Sequence, residues 1–307
     1  MRASCFLFII NATQTSCNFQ KIFVLLLAFA AAFATGCRKD KISDSEVVIP
    51  PDPTIVIATG VFGLVTDESG TPIEAATVYL GNKQIQTDEN GYFSLDGFAN
   101  QVQPFVKVEK AGYLPSLASF STKAGDKGRV KVTLRAKTLT AQVDASTGGA
   151  ANLPGGGSIQ FEANGFVDAA GQAYNGSVMV YATYLDPSQP QTESMVPASW
   201  QGRSATGEAQ VLLSYGMIHA LLETPAGQKL QISKPAQITV PVPADRLSNA
   251  PSEIPLWYID EVTSLWKEEG SAVLQGAVYK GSVSHFELVE LRRRLPGGKI
   301  IGYPAHR

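Results

Sequence analysis

The stretch TGVFGLVTDESGTPIEAATVYLGNKQIQTDENGYFSLDGF, Thr59 to Phe98, decides the fold. Short apolar runs alternate with polar residues at a period of two, the pattern of a half-buried strand. The runs are broken by turns of the form Asp-x-x-Gly, at Asp67–Gly70 and Asp88–Gly91. Glycine closes each turn because it adopts φ > 0 without the steric penalty of a Cβ. The stretch therefore predicts a meander of antiparallel strands with one face buried.

The same residues carry a resemblance. Gly63-x-Val65-x-Asp67, then Gly70-x-Pro72-Ile73-x-x-Ala76-x-Val78, then Thr87-Asp88-x-x-Gly91-x-Phe93-x-Leu95 resembles the carboxypeptidase regulatory-like domain. That resemblance implies a small transthyretin-like (prealbumin-like) β-sandwich and a non-catalytic accessory role. Working outward, strands are expected at 59–66, 76–80, 84–87, 92–95, 105–110 and 129–135. In the last, Val130, Val132 and Leu134 face one way and Arg129, Lys131 and Arg135 the other. Ala111-Gly112-Tyr113 matches the turn after the fifth strand of the regulatory-like family, with Tyr113 packing back on the sandwich.

After Thr140 a Gly-rich boundary, AQVDASTGGAANLPGGGS, precedes a second set of strands. They are expected at 158–163, 177–185, 210–223, 237–242, 256–260, 265–268 and 278–285. Gln210–Glu223 is apolar on both faces and should be a central, doubly covered strand. Pro241 and Pro243 mark an edge or an end of the 237–242 strand. Leu212–Met217, the Trp257/Trp266 hairpin and Val283-Ser284-His285-Phe286 together resemble the extracellular β domain of cartilage intermediate layer proteins and their bacterial relatives. In that family the chain continues past Val-Ser-His-Phe as a further strand. Here Glu287–Glu290 lead into Leu291-Arg292-Arg293-Arg294 and then Pro296-Gly297-Gly298. The expectation is that residues 291–307 form a basic tail outside the fold, disordered or aberrant.

The N-terminus reads as an export signal. Ile22–Ala34 is an unbroken apolar run of 13 residues after Lys21. A membrane span needs roughly 20 residues, whereas a signal-peptide core needs about 7–15. Thr35-Gly36-Cys37 follows, resembling the lipobox of bacterial lipoproteins, although Ala34 stands where that family usually has Leu. The resemblance implies lipidation of Cys37. The other reading is an ordinary cleaved leader with Cys37 incidental. Several acyl chains on one cysteine give the anchoring that a single chain does not. Arg38 rather than Asp follows the cysteine, which by the same resemblance implies the outer membrane. Pro50, Pro51 and Pro53 stiffen the tether that follows.

Composition limits the chemistry. Charged residues make up 17% of the 307-residue chain, too few for extended disorder. Arg2 and Lys21 lie in 1–36, and Arg292, Arg293, Arg294, Lys299 and Arg307 lie in 291–307, with no acid in either segment. Setting these seven aside leaves 18 cations against 27 acids, a net −9 over residues 37–290. An acidic body does not suit nucleic-acid backbones. Cys5, Cys17 and Cys37 all precede the first strand pattern, so the β region has no thiolate nucleophile and no cysteine-ligated zinc. His219, His285 and His306 lack metal-ligand spacing, no G-x-S-x-G elbow occurs, and Gly155-Gly156-Gly157 lacks a phosphate-loop lysine. Asp88, Asn90 and Asp96 invite a calcium reading, but strand residues follow where an EF-hand would place further ligands, so turn geometry is preferred.

Three tryptophans are the candidate contacts. Trp257 and Trp266 either stack a sugar or pack against each other across their hairpin, and Trp200 sits in a polar loop. The expected architecture is all-β: a signal peptide (1–36), a tether (37–57), a regulatory-like β-sandwich (58–137), a second β-sandwich (138–290) and the tail (291–307). The expected function is a non-enzymatic, lipid-anchored, outer-membrane surface protein that binds or scaffolds an extracellular protein or glycan. It needs no cofactor, metal or nucleic acid. A carbohydrate-binding accessory protein is the alternative, and a hydrolase stands third.

Overall fold

The computed structural model describes residues 55–189, 192, 201–203, 209–260, 265–286 and 288–294. The leader, Cys37, the tether before residue 55, Trp200 and the tail after Arg294 lie outside the described residues. All described residues fall in one compact unit, Ile49–Arg307. Its architecture is all-β, with two cores.

The first core lies between two sheets. Strands β1 (Val56–Thr66), β2 (Thr77–Leu80), β3 (Lys83–Gln86), β4 (Tyr92–Asn100), β5 (Phe105–Glu109), β6 (Ser116–Ser119) and β7 (Lys127–Thr133) build it. One sheet has the order β4-β1-β7, with β1 antiparallel to β4 and parallel to β7. The other has the order β3-β2-β5-β6. Val61, Val65, Phe93, Val130 and Val132 of the first sheet pack on Val78, Leu80, Val106, Val108 and Ala118 of the second. Apolar side chains on the inner side of each pleat exclude water between the sheets, the usual driving force of a sandwich. Both Asp-x-x-Gly turns form as expected. Asp88 Oδ1 accepts from the backbone N–H of Asn90 and Tyr92 at 2.9 and 2.8 Å. These bonds make Asp88 a turn residue. Strand β6 has no clear alternation in the sequence and was not expected there.

The second core is enclosed by strands β8 (Ala141–Asp144), β9 (Gly149–Asn152), β10 (Ser158–Phe161), β11 (Phe166–Asp168), β12 (Ser177–Leu185), β13 (Gln201–Arg203) and β14 (Ala209–Glu223). They are completed by β15 (Lys229–Ile232), β16 (Ala236–Pro241), β17 (Glu253–Asp260), β18 (Leu265–Gln275), β19 (Val278–Val283) and β20 (Leu288–Arg294). A single hydrogen-bonded network joins all thirteen. β14 sits at its centre, paired with β12, β13, β15 and β20. Its ladder to β20 is irregular between Ser214 and Gly216. Beyond that point Ile218, Ala220 and Leu222 face the large core. Met217 faces the opposite way, into a cluster with Trp257, Trp266 and Leu117 of β6. The first sandwich thus covers the second face of β14, which explains why the strand is apolar on both sides. β16 ends at Pro241 but is paired on both flanks, by β10 and β19, so it is not an edge.

The expected tail needs correction at its start. β20 runs through Leu291 to Arg294 and pairs with both β14 and β17. Leu291 and Arg292 are buried, at 0% and 1% exposure. A basic run can occupy an interior strand because Arg292 lays its guanidinium over the Trp266 ring, 4.1 Å from the centroid. Its charge is held by a π face while its stem is buried among apolar groups.

Candidate ligand-binding face

Trp257 and Trp266 do not form a platform. Trp257 and Trp266 are both fully buried, at 0% exposure. Trp257 stands opposite Glu268 and Trp266 opposite Ile259, so the two indoles are offset on one face of the hairpin. With Leu185, Leu212, Met217, Ile259 and Leu117 they fill the junction between the two halves, with Phe105 packed against them. Trp257 Nε1 donates to the Arg292 carbonyl at 3.3 Å. The expected ligand contact through these two residues is therefore corrected: a face with no solvent contact cannot stack a sugar. The first sandwich is what hides them.

Exposed aromatics occur elsewhere, on the outer face of the β4-β1-β7 sheet. Phe62, Tyr92 and Phe98 are exposed at 44%, 57% and 53%. Their positions follow from the pleat. Val61, Gly63 and Val65 point inward on β1, so Phe62 and Leu64 point outward. Phe93 and Ala99 are buried on β4, so Tyr92 and Phe98 point outward. In the ladder Tyr92 is opposite Leu64 and Phe62 opposite Ser94, which sets Phe62 and Tyr92 on a diagonal. Diagonal neighbours in an antiparallel pair lie within reach of aromatic side chains. Phe98 is opposite Ala58, with exposed Val56 beyond it.

Between these two apolar patches lies an ion pair. Lys127 Nζ is 3.0 Å from Asp96 Oδ1 and donates to Ser94 Oγ at 3.2 Å. Both Asp96 and Lys127 are in register with Gly60, on its two sides. A Cβ at Gly60 would collide with the Asp96 carboxylate and the Lys127 stem, so the glycine makes room for the pair. On β7, Arg129 is in register with Phe62 and Lys131 with Leu64. Lys127, Arg129 and Lys131 are all exposed on this side. The face thus carries an apolar strip flanked by a row of three cations.

A cleft of about 440 Å3 lies between the two halves, lined by Lys110, Tyr113, Lys137, Leu221, Glu223 and Lys229 among others. Its cations are already engaged. Lys110 Nζ donates to the carbonyls of Glu74 and Ala75 at 2.7 and 3.3 Å. Lys137 Nζ pairs with Glu223 at 2.8 Å and lies over the Tyr181 ring. Lys229 also has a partner. Near this cleft His219 is half-buried, and desolvation pushes its pKa down to about 4, aided by the Arg135 charge and opposed by a hydrogen bond to the Pro115 carbonyl. A neutral histidine held this way serves the junction between the halves. Among the described residues no group of three or more His, Cys, Asp or Glu could hold a metal ion.

Residues 60–135 match the carboxypeptidase regulatory-like domain, from within β1 to just beyond β7. Cartilage intermediate layer protein 2 of mouse (Mus musculus) is 27% identical over 225 residues, covering 68% of this chain and 19% of its own length. The chain thus spans about a fifth of that relative. Among solved structures, a protein of Bacteroides fragilis described as membrane-associated and of unknown function gives a TM-score of 0.23 at 9% identity. That match covers 78% of this chain and 99% of the other. A protein of Bacteroides uniformis described as a candidate carbohydrate-binding protein gives 0.21 at 10% identity, covering 75% and 99%.

Proposed function

We propose, with the regulatory-like domain at residues 60–135 as premise, that the chain is a non-enzymatic surface-binding protein. It is anchored through lipid on Cys37 in the outer membrane and displays its β domains outward. Its ligand contact is the outer face of the β4-β1-β7 sheet. The observation that carries this reading is the exposure of Phe62, Tyr92 and Phe98 together on one rigid sheet. Isolated exposed apolar residues are ordinary, whereas aromatics gathered on one face mark recognition surfaces. A sheet holds the rings in fixed positions, so little side-chain freedom is lost on binding. The regulatory-like resemblance, with its accessory role, supports a binding rather than a chemical task.

The test is a glycan array and a pull-down from bacterial surface material, each run with the wild-type chain and with a Phe62→Ala, Tyr92→Ala, Phe98→Ala triple variant. Loss of the captured ligands in the variant supports the reading, and identical profiles overturn it. For the anchor, wild type should partition into the detergent phase and Cys37→Ser into the aqueous phase. Wild type found wholly in the aqueous phase would remove the lipid from the proposal.

A further inference from the structure

We infer that the outer face of the β4-β1-β7 sheet takes an anionic polysaccharide, a linear chain of uronate or sulfated sugar rings. This deepens the proposed function and rests on it. Three observations carry the choice of ligand.

The first is charge. The outward residues of the three strands include Lys127, Arg129 and Lys131 but only one acid, Asp96, which already pairs with Lys127. Arg129 and Lys131 have no ion-pair partner among the described residues. A cationic row stands out on a chain whose residues 37–290 carry a net −9. Such a local reversal of sign selects an anionic ligand and steers its approach. The planar fork of Arg129 suits a carboxylate or sulfate.

The second is register. Arg129 stands beside Phe62 and Lys131 beside Leu64, whose other neighbour is Tyr92. An apolar surface and a cation therefore sit side by side across the sheet. A charged sugar ring presents the same two features, an apolar ring face and an acidic substituent at its rim. The aromatic ring meets the first and the cation the second.

The third is shape. The outward positions run from Val56 to Leu64 on β1, a strip about 26 Å long at ~3.3 Å per residue. The face is the open side of a sheet, on which a single small molecule would bury little area. A polymer lying along the strip gains contact at every ring. A lipid surface fits less well, because the Asp96–Lys127 ion pair lies at the middle of the face and would have to enter an apolar medium.

The experiment is affinity electrophoresis of the full chain through gels containing polygalacturonate, dextran sulfate or neutral dextran. Single-stranded DNA and flotation with phosphatidylglycerol vesicles serve as contrasts. Both anionic glycans should retard the wild type and neutral dextran should not. The retardation should fade as salt approaches 1 M, where the screening length is about 3 Å. Phe62→Ala/Tyr92→Ala and Arg129→Glu/Lys131→Glu should each weaken it about tenfold or more, with wild-type thermal midpoints because these side chains are exposed. If either pair shifts the midpoint, Phe62→Ser and Arg129→Gln repeat the comparison. Retardation by neutral dextran that is lost in the aromatic variant overturns the anionic class while the binding face stands. Retardation that survives both pairs, or none at all, overturns the inference. Equal capture by single-stranded DNA would reduce the face to a charge trap and sink the glycan assignment. Vesicle flotation without glycan retardation would hand the face to a lipid surface and do the same.

Discussion

Gly91 shows how much one position can determine. It has φ +75° in the Asp88–Gly91 turn, and a Cβ there would press on the Val65 carbonyl oxygen. Gly91→Val therefore combines a disfavoured backbone with a steric clash and should destabilise by about 2 kcal/mol or more. An unchanged denaturant midpoint would show that the turn is of another kind. The need for glycine was legible in the sequence, because a turn imposes its chemistry locally. Trp266 is the opposite case. Its ring is fully buried and carries the Arg292 guanidinium on one face. Trp266→Ala should lower stability by roughly 3–5 kcal/mol in urea titration, as for a large side chain removed from a core. Ready quenching of the indole fluorescence by acrylamide would return the residue to the surface and contradict that burial. The sequence left the role of Trp266 open, since a strand residue's burial depends on what covers it.

At the scale of elements, β20 is the sharpest difference between expectation and structure. Leu291-Arg292-Arg293-Arg294 is too basic to read as a buried strand by alternation alone. It forms one because β14 presents an open edge along Leu291–Arg294 and β17 a second edge as far as Leu291, and backbone groups there need partners. A chain ending at Glu290 loses the Leu291–Arg294 half of the strand and leaves the edge of β14 at Leu212–Gly216 exposed to other copies. Such a truncation should lower the thermal midpoint markedly and increase light scattering at micromolar concentration. A truncated protein as stable and monodisperse as wild type would show the Leu291–Arg294 half of β20 to be dispensable. For the exposed strip on β1 and β4, the division of residues between two faces was within reach of the sequence, but not which face meets solvent. The motif residues Gly63, Val65, Phe93 and Leu95 mark one side of the sheet, and the residues that alternate with them, Phe62 and Tyr92 among them, fall on the other.

For the whole molecule, the junction between the halves has its own signature in pH. His219 has its pKa pushed down to about 4 in the folded chain, against an unfolded value near 6.5. Between those values the unfolded state binds more protons than the folded one. Stability is therefore complete above about pH 6.5 and declines as the pH falls towards 4, by at most about 3.5 kcal/mol at ~1.4 kcal/mol per pKa unit. Protonation would set a second cation beside Arg135 under the first sandwich. Thermal midpoints measured across this window should fall with acidity, and His219→Gln should flatten the slope. A slope equal to that of wild type in the variant would place the acid sensitivity on other groups.

By itself the sequence determined the all-β class, the turn positions and most of the strands, since period-two alternation and Asp-x-x-Gly turns act over a few residues. It also carried the regulatory-like motif, which is a local record of which residues face inward. Only the tertiary structure decided that Trp257 and Trp266 are core and that the basic run after Glu290 begins within a central strand. The same holds for the aromatic face, which reaches solvent beside a row of cations. Each of these depends on which surface a distant part of the chain covers. Burial is a property of contacts between segments far apart in sequence, and alternation states only that two faces differ.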